Sequence, residues 1–148
     1  MGRTIVGVMG PGGGATEDEV RAAHELGALV AAEGWVLLTG GRASGVMEAA
    51  SRGAREAGGL TVGILPSADA EDASEFVDVA VVTGMGQARN QINVLTSRVV
   101  ISCGAGAGTA SEIALALKAR KPVILLRATD EARAFFAARD TRLTRRGA

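Results

Sequence analysis

The chain has 148 residues, enough for one domain with a buried core and too few to expect a second. Sixteen Lys and Arg balance sixteen Asp and Glu, and three Phe, one Trp and no Tyr leave few rings for stacking bases; nucleic acid is therefore not an expected partner. One cysteine excludes an internal disulfide framework, and without a charged-then-apolar leader or an apolar run near membrane-spanning length the expected address is cytoplasmic, with no membrane partner.

Ile5 to Met9 is the first short β-branched run, and it leads into Gly10-Pro11-Gly12-Gly13-Gly14. Thr16-Glu17-Asp18-Glu19 then reads as a capping box, opening a helix to about Glu33 with Gly34 as its stop. His24, the single histidine, shares helical spacing with Val20, Gly27 and Ala31 and reads as a partly buried helix residue; with no second His or Cys cluster, no metal site is expected. Trp35 to Thr39 is the second strand, followed by Gly40-Gly41 and a helix over Ser44 to Ala57 that closes on Gly58-Gly59.

Leu60 to Leu65 is the third strand, and Ser67 to Glu75 is a short acidic connection, either simply solvated or a lid over a ligand. Val77 to Val82, the fourth strand, runs into Gly84-Met85-Gly86, and Val99 to Ser102 is the fifth. At its buried end Cys103 reads as a small hydrophobe, since no base stands near it in sequence. After Gly104-Ala105-Gly106-Ala107-Gly108, Thr109-Ala110-Ser111-Glu112 reads as a second capping box, and its helix must end before Pro122. Val123 to Leu126 is the sixth strand, one helix is expected around Glu131 to Arg139, and residues 139–148, with Arg139, Arg142, Arg145 and Arg146, read as a frayed basic tail.

Strands alternating with helices give βαβ units, so residues 1–148 are expected to form one Rossmann-like α/β domain, a three-layer parallel sheet covered on both faces. In such a sheet every strand-to-helix loop emerges on the carboxyl edge, where open α/β folds bind ligands. The four glycine-bearing loops therefore surround one crevice. Without side chains their amides can approach an anion, and the helices that follow add partial positive charge, which suits a phosphate-bearing small molecule. The first loop is not G-x-G-x-x-G, and no Lys-Ser or Lys-Thr pair completes a triphosphate loop. The second strand ends in Thr39-Gly40-Gly41-Arg42 where a dinucleotide fold wants an acid for the ribose, so NAD is not expected.

Arg89, after the fourth strand, and Glu112, after the fifth, are brought to the same edge although 23 positions separate them. Each has a plainer reading: Glu112 as the acid of its capping box, Arg89 as an exposed cation, although a cation in a helix's first turn opposes the dipole and hints at an anionic partner.

The stretch from Arg89 through Gly104-Ala105-Gly106-Ala107-Gly108-Thr109-Ala110-Ser111-Glu112 resembles the signature of the LONELY GUY (LOG) family, an arginine and then P-G-G-x-G-T-x-x-E at the same spacing. Gly106, Gly108, Thr109 and Glu112 match; Gly104, Ala105 and Asn90 depart from it, and Gly45-Val46-Met47 looks like the family's G-L-M with Glu48 in place of its last glycine. A closer likeness, over residues 4 to about 127, is to the molybdenum cofactor carrier branch of these Rossmann proteins, carried by G-V-M-G-P-G, G-W-V-L-L-T-G-G-R and V-T-G-M-G-Q-A-R-N-Q-I-N.

That resemblance implies a carrier or storage protein for molybdenum cofactor (molybdopterin), a pterin ending in a monophosphate, passed to a molybdoenzyme acceptor by a homo-oligomer, dimer or tetramer. It places Gly10, Pro11, Gly12, Gly40, Gly41, Arg42, Arg89, Gly104, Gly106, Gly108 and Thr109 near the ligand. The alternative is a LOG-type nucleotide 5′-monophosphate phosphoribohydrolase with Arg89 and Glu112 as catalytic residues. A nucleotide-sensing module without turnover is the third reading.

Overall fold

A computed structural model describes residues 2–139. The elements, in chain order, are β1 (Ile5–Met9), α1 (Glu17–Ala32), β2 (Val36–Thr39), α2 (Gly45–Glu56), β3 (Thr61–Leu65), β4 (Val79–Val82), a 3₁₀ turn (Gly86–Ala88), α3 (Arg89–Thr96), β5 (Val99–Cys103), α4 (Ala107–Lys118), β6 (Val123–Leu126) and α5 (Asp130–Ala137). The strands form one six-stranded sheet in the order β4-β3-β2-β1-β5-β6, every pairing parallel. The chain lays down β1 to β4 outward and then returns through α3 to place β5 against the other side of β1. The strand order thus reverses between β1 and β5, and the loops after these two strands diverge around the crevice of an open α/β sheet.

Strand alternation splits the core in two. Val6, Val8 and Leu37 point to the α1/α2 face with Ala23, Val30 and Ala50, while Met9, Leu38 and Val100 join Val94, Ile113 and Phe136 on the other. Burying each large side chain contributes about 1.5–3 kcal/mol. On the first face α1 and α2 meet at glycines: a β-carbon on Gly27 would stand 2.1 Å from the Ala50 carbonyl oxygen, and one on Gly53 would stand 2.0 Å from that of His24. On the second, the missing side chain of Gly7 makes room for Ser97 at the end of α3.

The sheet is not covered on both faces along its whole width. Val79, Val81 and Val82 of β4 are 40–47% exposed, because α3 leaves this edge to return to the centre of the sheet. The acidic connection before β4 is not a free lid either. Ser74 N donates to Gly41 O at 2.9 Å and Ala43 N to Asp72 O at 3.0 Å, stitching it to the loop after β2. Of the basic tail only Arg139 lies among the described residues; it closes the end of α5, with Nη1 donating to Phe135 O at 2.6 Å.

Both capping boxes depart from the expected form. Thr16 does cap α1, its hydroxyl accepting from Glu19 N at 3.1 Å. The return arm is missing, since the Glu19 carboxylate packs against Gly104 with Oε2 buried and without a hydrogen-bond partner among the described residues. The second box does not form at all. Gly106 in an extended conformation is the N-cap of α4, which puts Thr109 inside the helix and Glu112 beyond its first turn.

Candidate functional site

A hollow of about 310 Å³ opens at the carboxyl edge of the sheet. The loop after β1 supplies Gly10 to Gly13, the loop after β2 supplies Gly40 and Arg42, and the start of α4 supplies Gly106 to Thr109. Three of the four glycine loops therefore share one rim. The fourth does not reach it through Gly84 or Gly86; the residues that follow, Gln87, Arg89 and Asn90, do. Gly41 and Gly104 also lie off the hollow. Each has a left-handed φ, +81° and +87°, that turns the chain, Gly41 against Gly63 and Leu65, and Gly104 against Glu19.

The rim is rich in free amides. Among the described residues no side chain caps α4, so the N–H groups of its first turn have neither an intrahelical partner nor a cap, and they lie where the helix dipole favours negative charge. The β1 loop stands beside it, with Pro11 Cγ at 3.7 Å from the β-carbon position of Gly106. Gly12 lies closer still to Ser44 at the head of α2, its β-carbon position 3.0 Å from Ser44 Oγ, and Val46 N donates to Pro11 O at 3.0 Å, which fixes the loop.

The floor holds the charged pair. Arg89, read from sequence as an exposed cation, is 7% exposed. Its Nε donates to Ile64 O at 2.9 Å, its Nη1 donates to Asn90 Oδ1, and its Nη2 lies over Gly40. Asn90 Nδ2 donates in turn to Ser111 Oγ at 3.2 Å, and that hydroxyl to Gly108 O at 2.7 Å, so the guanidinium is linked to the first turn of α4. Burial pushes the pKa of Arg89 down; Glu112 opposes the shift and Arg42 adds to it. Glu112 is 8% exposed and its carboxyl sits above the usual carboxylate range, chiefly through burial, with the Asn93 hydrogen bond and Arg89 pulling it back.

Met9, Met47, Gln87, Asn90 and Asn93 were not singled out as site residues from the sequence. The methionines match the hydrophobic pattern of a strand and a helix, and only their place at the carboxyl edge could have marked them. Asn90 carried a signal, its departure from the lysine that follows the arginine in LOG proteins. Cys103 and His24 stand apart, as expected. The thiol is fully buried and its pKa is pushed up to about 11, first by burial and then by Glu19. His24 reaches from α1 across to α2, where its Nε2 pairs with Glu56 Oε2 at 3.0 Å. A wider groove of about 480 Å³ between α1 and α2, lined by residues such as Val20, Ser44 and Arg52, receives none of the expected site residues.

The model of the SLOG cluster4 family matches residues 3–146. The solved molybdenum cofactor binding protein of the phototrophic bacterium Rippkaea orientalis is 59% identical with a TM-score of 0.91, over 93% of this chain and 85% of its own. The Moco carrier protein of Chlamydomonas reinhardtii is 50% identical with a TM-score of 0.90, over 96% and 87%. At greater distance, a cytokinin riboside 5′-monophosphate phosphoribohydrolase of Mycobacterium marinum is 37% identical over 93 residues, which are 62% of this chain and 50% of that enzyme.

Proposed function

This chain belongs to the SLOG cluster4 family, and from that premise we propose that it is a molybdenum cofactor carrier, which binds and protects the cofactor by its terminal phosphate without turning it over. The observation that carries the reading is the convergence of two side-chain-poor loops and an uncapped, glycine-rich helix start on one hollow that also contains a buried arginine. Amides at a helix N-terminus and a guanidinium are the donors a phosphate monoester takes. Met9 and Met47 add thioether surface, a polarisable wall suited to a flat, sulfur-bearing pterin. The two solved relatives, at 59% and 50% identity, support this cargo over other phosphate esters. A homo-oligomer in the cytoplasm, handing the cofactor to a molybdoenzyme, follows as part of the same proposal.

One observation favours a second reading, the LOG-type phosphoribohydrolase: Arg89 and Glu112 meet in the hollow as that chemistry needs, one to polarise the substrate and one to support an oxocarbenium-like state. A single experiment separates them. The protein purified gently from a host that makes the cofactor is analysed for bound pterin, tested for reconstitution of a cofactor-free molybdoenzyme, and incubated in parallel with adenosine 5′-monophosphate. Retained pterin, transfer to the acceptor and no released adenine are the expected results. Steady release of adenine, lost in Arg89→Ala and Glu112→Ala, would replace the carrier by the hydrolase.

A further inference from the structure

Asn93 stands behind the hollow, not on its wall. It is fully buried in α3, its Nδ2 donates to Glu112 Oε2 at 3.2 Å, and its Oδ1 finds no hydrogen-bond partner among the described residues. The backbone at Asn93 is held in place. Ser97 Oγ donates to the main-chain carbonyl oxygen of Asn93 at 2.7 Å, and Ser97 itself is seated in the space that Gly7 leaves open on β1. An amide buried with an acceptor unpaired is a worse choice for folding than an apolar side chain of similar size, because the desolvated oxygen gains nothing in return. Packing therefore does not account for Asn93.

We propose that Asn93 is a positioning residue, whose side-chain N–H holds the carboxylate of Glu112 in the orientation that faces the hollow and Arg89. The inference rests on the proposed function only in giving that orientation a purpose. The charged group acting on Glu112 from the packed elements is Arg89 of α3, which in turn feels Arg42 from the loop after β2. Against the burial of the carboxylate, the Asn93 N–H and the Arg89 cation are what favour its charged form. Removing the amide leaves Arg89 to do so alone.

The test needs no ligand, so its failure and that of the carrier reading are distinguishable. The side-chain carboxyl carbon of Glu112 is followed by ¹³C NMR against pH in the wild-type protein, in Asn93→Leu and in Asn93→Ser, with Glu112→Gln identifying the resonance. The Glu112 midpoint is expected to rise by more than about 0.5 pH unit in both variants. A merely structural amide would leave the Glu112 midpoint unmoved whatever the thermal midpoint does, and that result overturns the proposal. Should Asn93→Leu fail to fold, Asn93→Ser alone decides by the same criterion.

Discussion

Arg89 and Gly40 meet on the floor of the hollow: a β-carbon at position 40 would stand 2.8 Å from Arg89 Nη2 and 2.8 Å from Met47 Sδ. Gly40 therefore contributes an absence, the gap through which the guanidinium reaches the hollow. Because Nε and Nη1 are already held by Ile64 O and Asn90, the group cannot yield without breaking one of these bonds. Gly40→Ala is expected to lower the affinity for a phosphate monoester about tenfold, roughly 1.4 kcal/mol, as calorimetric titration would read. Unchanged affinity would reduce Gly40 to a turn residue.

Arg89→Lys should be nearly as damaging as Arg89→Ala. An ammonium keeps the charge but cannot donate to Ile64 O, Asn90 Oδ1 and an anion in three fixed directions. Losing charge-assisted bonds costs about 1.5–3 kcal/mol each, so both variants should bind a phosphate monoester more than about tenfold more weakly than the wild type. If lysine restored most of the affinity, charge alone would be sufficient and the orientation of the guanidinium would not matter.

The order and type of the elements were legible in the sequence because strand and helix periods alternate from Ile5–Met9 to Val123–Leu126, broken only where a loop joins β3 to β4. The convergence of Arg89 and Glu112 was legible too, since topology alone sends both to one edge. What misled was local chemistry with two readings. Thr109 to Glu112 has the spacing of a capping box, yet Gly106 starts the helix a turn earlier and frees Glu112 to be buried beside Asn93. Glycine was equally ambiguous: Gly10 and Gly106 line the hollow, Gly41 and Gly104 turn the chain, and Gly27 and Gly53 let two helices touch. Only the neighbours in space tell these uses apart.

Glu112 should also write itself into the pH dependence of stability. Its pKa is raised in the folded state, so the folded chain holds this proton at a pH where the unfolded chain has released it. That contribution is full below the ordinary carboxylate range and is lost as pH rises through the raised folded value. Glu112→Gln cannot ionise and is expected to escape the loss. Urea unfolding of the two proteins from pH 4 to pH 8 should show the variant gaining on the wild type as pH rises. Parallel curves would place Glu112 in a far more polar setting than its burial implies.

Cys103 should be slow to react in the native protein. The thiol is fully buried at the end of β5, and with its pKa pushed up to about 11 little thiolate is present at neutral pH. Alkylation by iodoacetamide at pH 7.5 is expected to run far slower than in urea-unfolded chain and to rise with fluctuations that open the β5 end. A native rate equal to the unfolded rate would show that this end of the sheet is not closed.

Gly27→Ala tests whether the helix pair α1/α2 is held by close approach. Alanine gains about 1 kcal/mol over glycine in a helix interior, which by itself predicts a more stable protein. Against that gain stands a β-carbon 2.1 Å from the Ala50 carbonyl oxygen, a contact that only a shift of backbone can relieve. Overpacking of this kind costs about 1–3 kcal/mol, and backbone is less forgiving than the tip of a side chain, so the variant is expected to be destabilised. Gly13→Ala is the control, since nothing lies within 4 Å of its β-carbon position. The effect should reach the hollow as well, because α2 begins at Ser44, against Gly12, and a displaced α2 moves the loop that forms the rim. A Gly27→Ala thermal midpoint at or above that of the wild type would mean that the two helices can part without strain and that the rim does not depend on their contact.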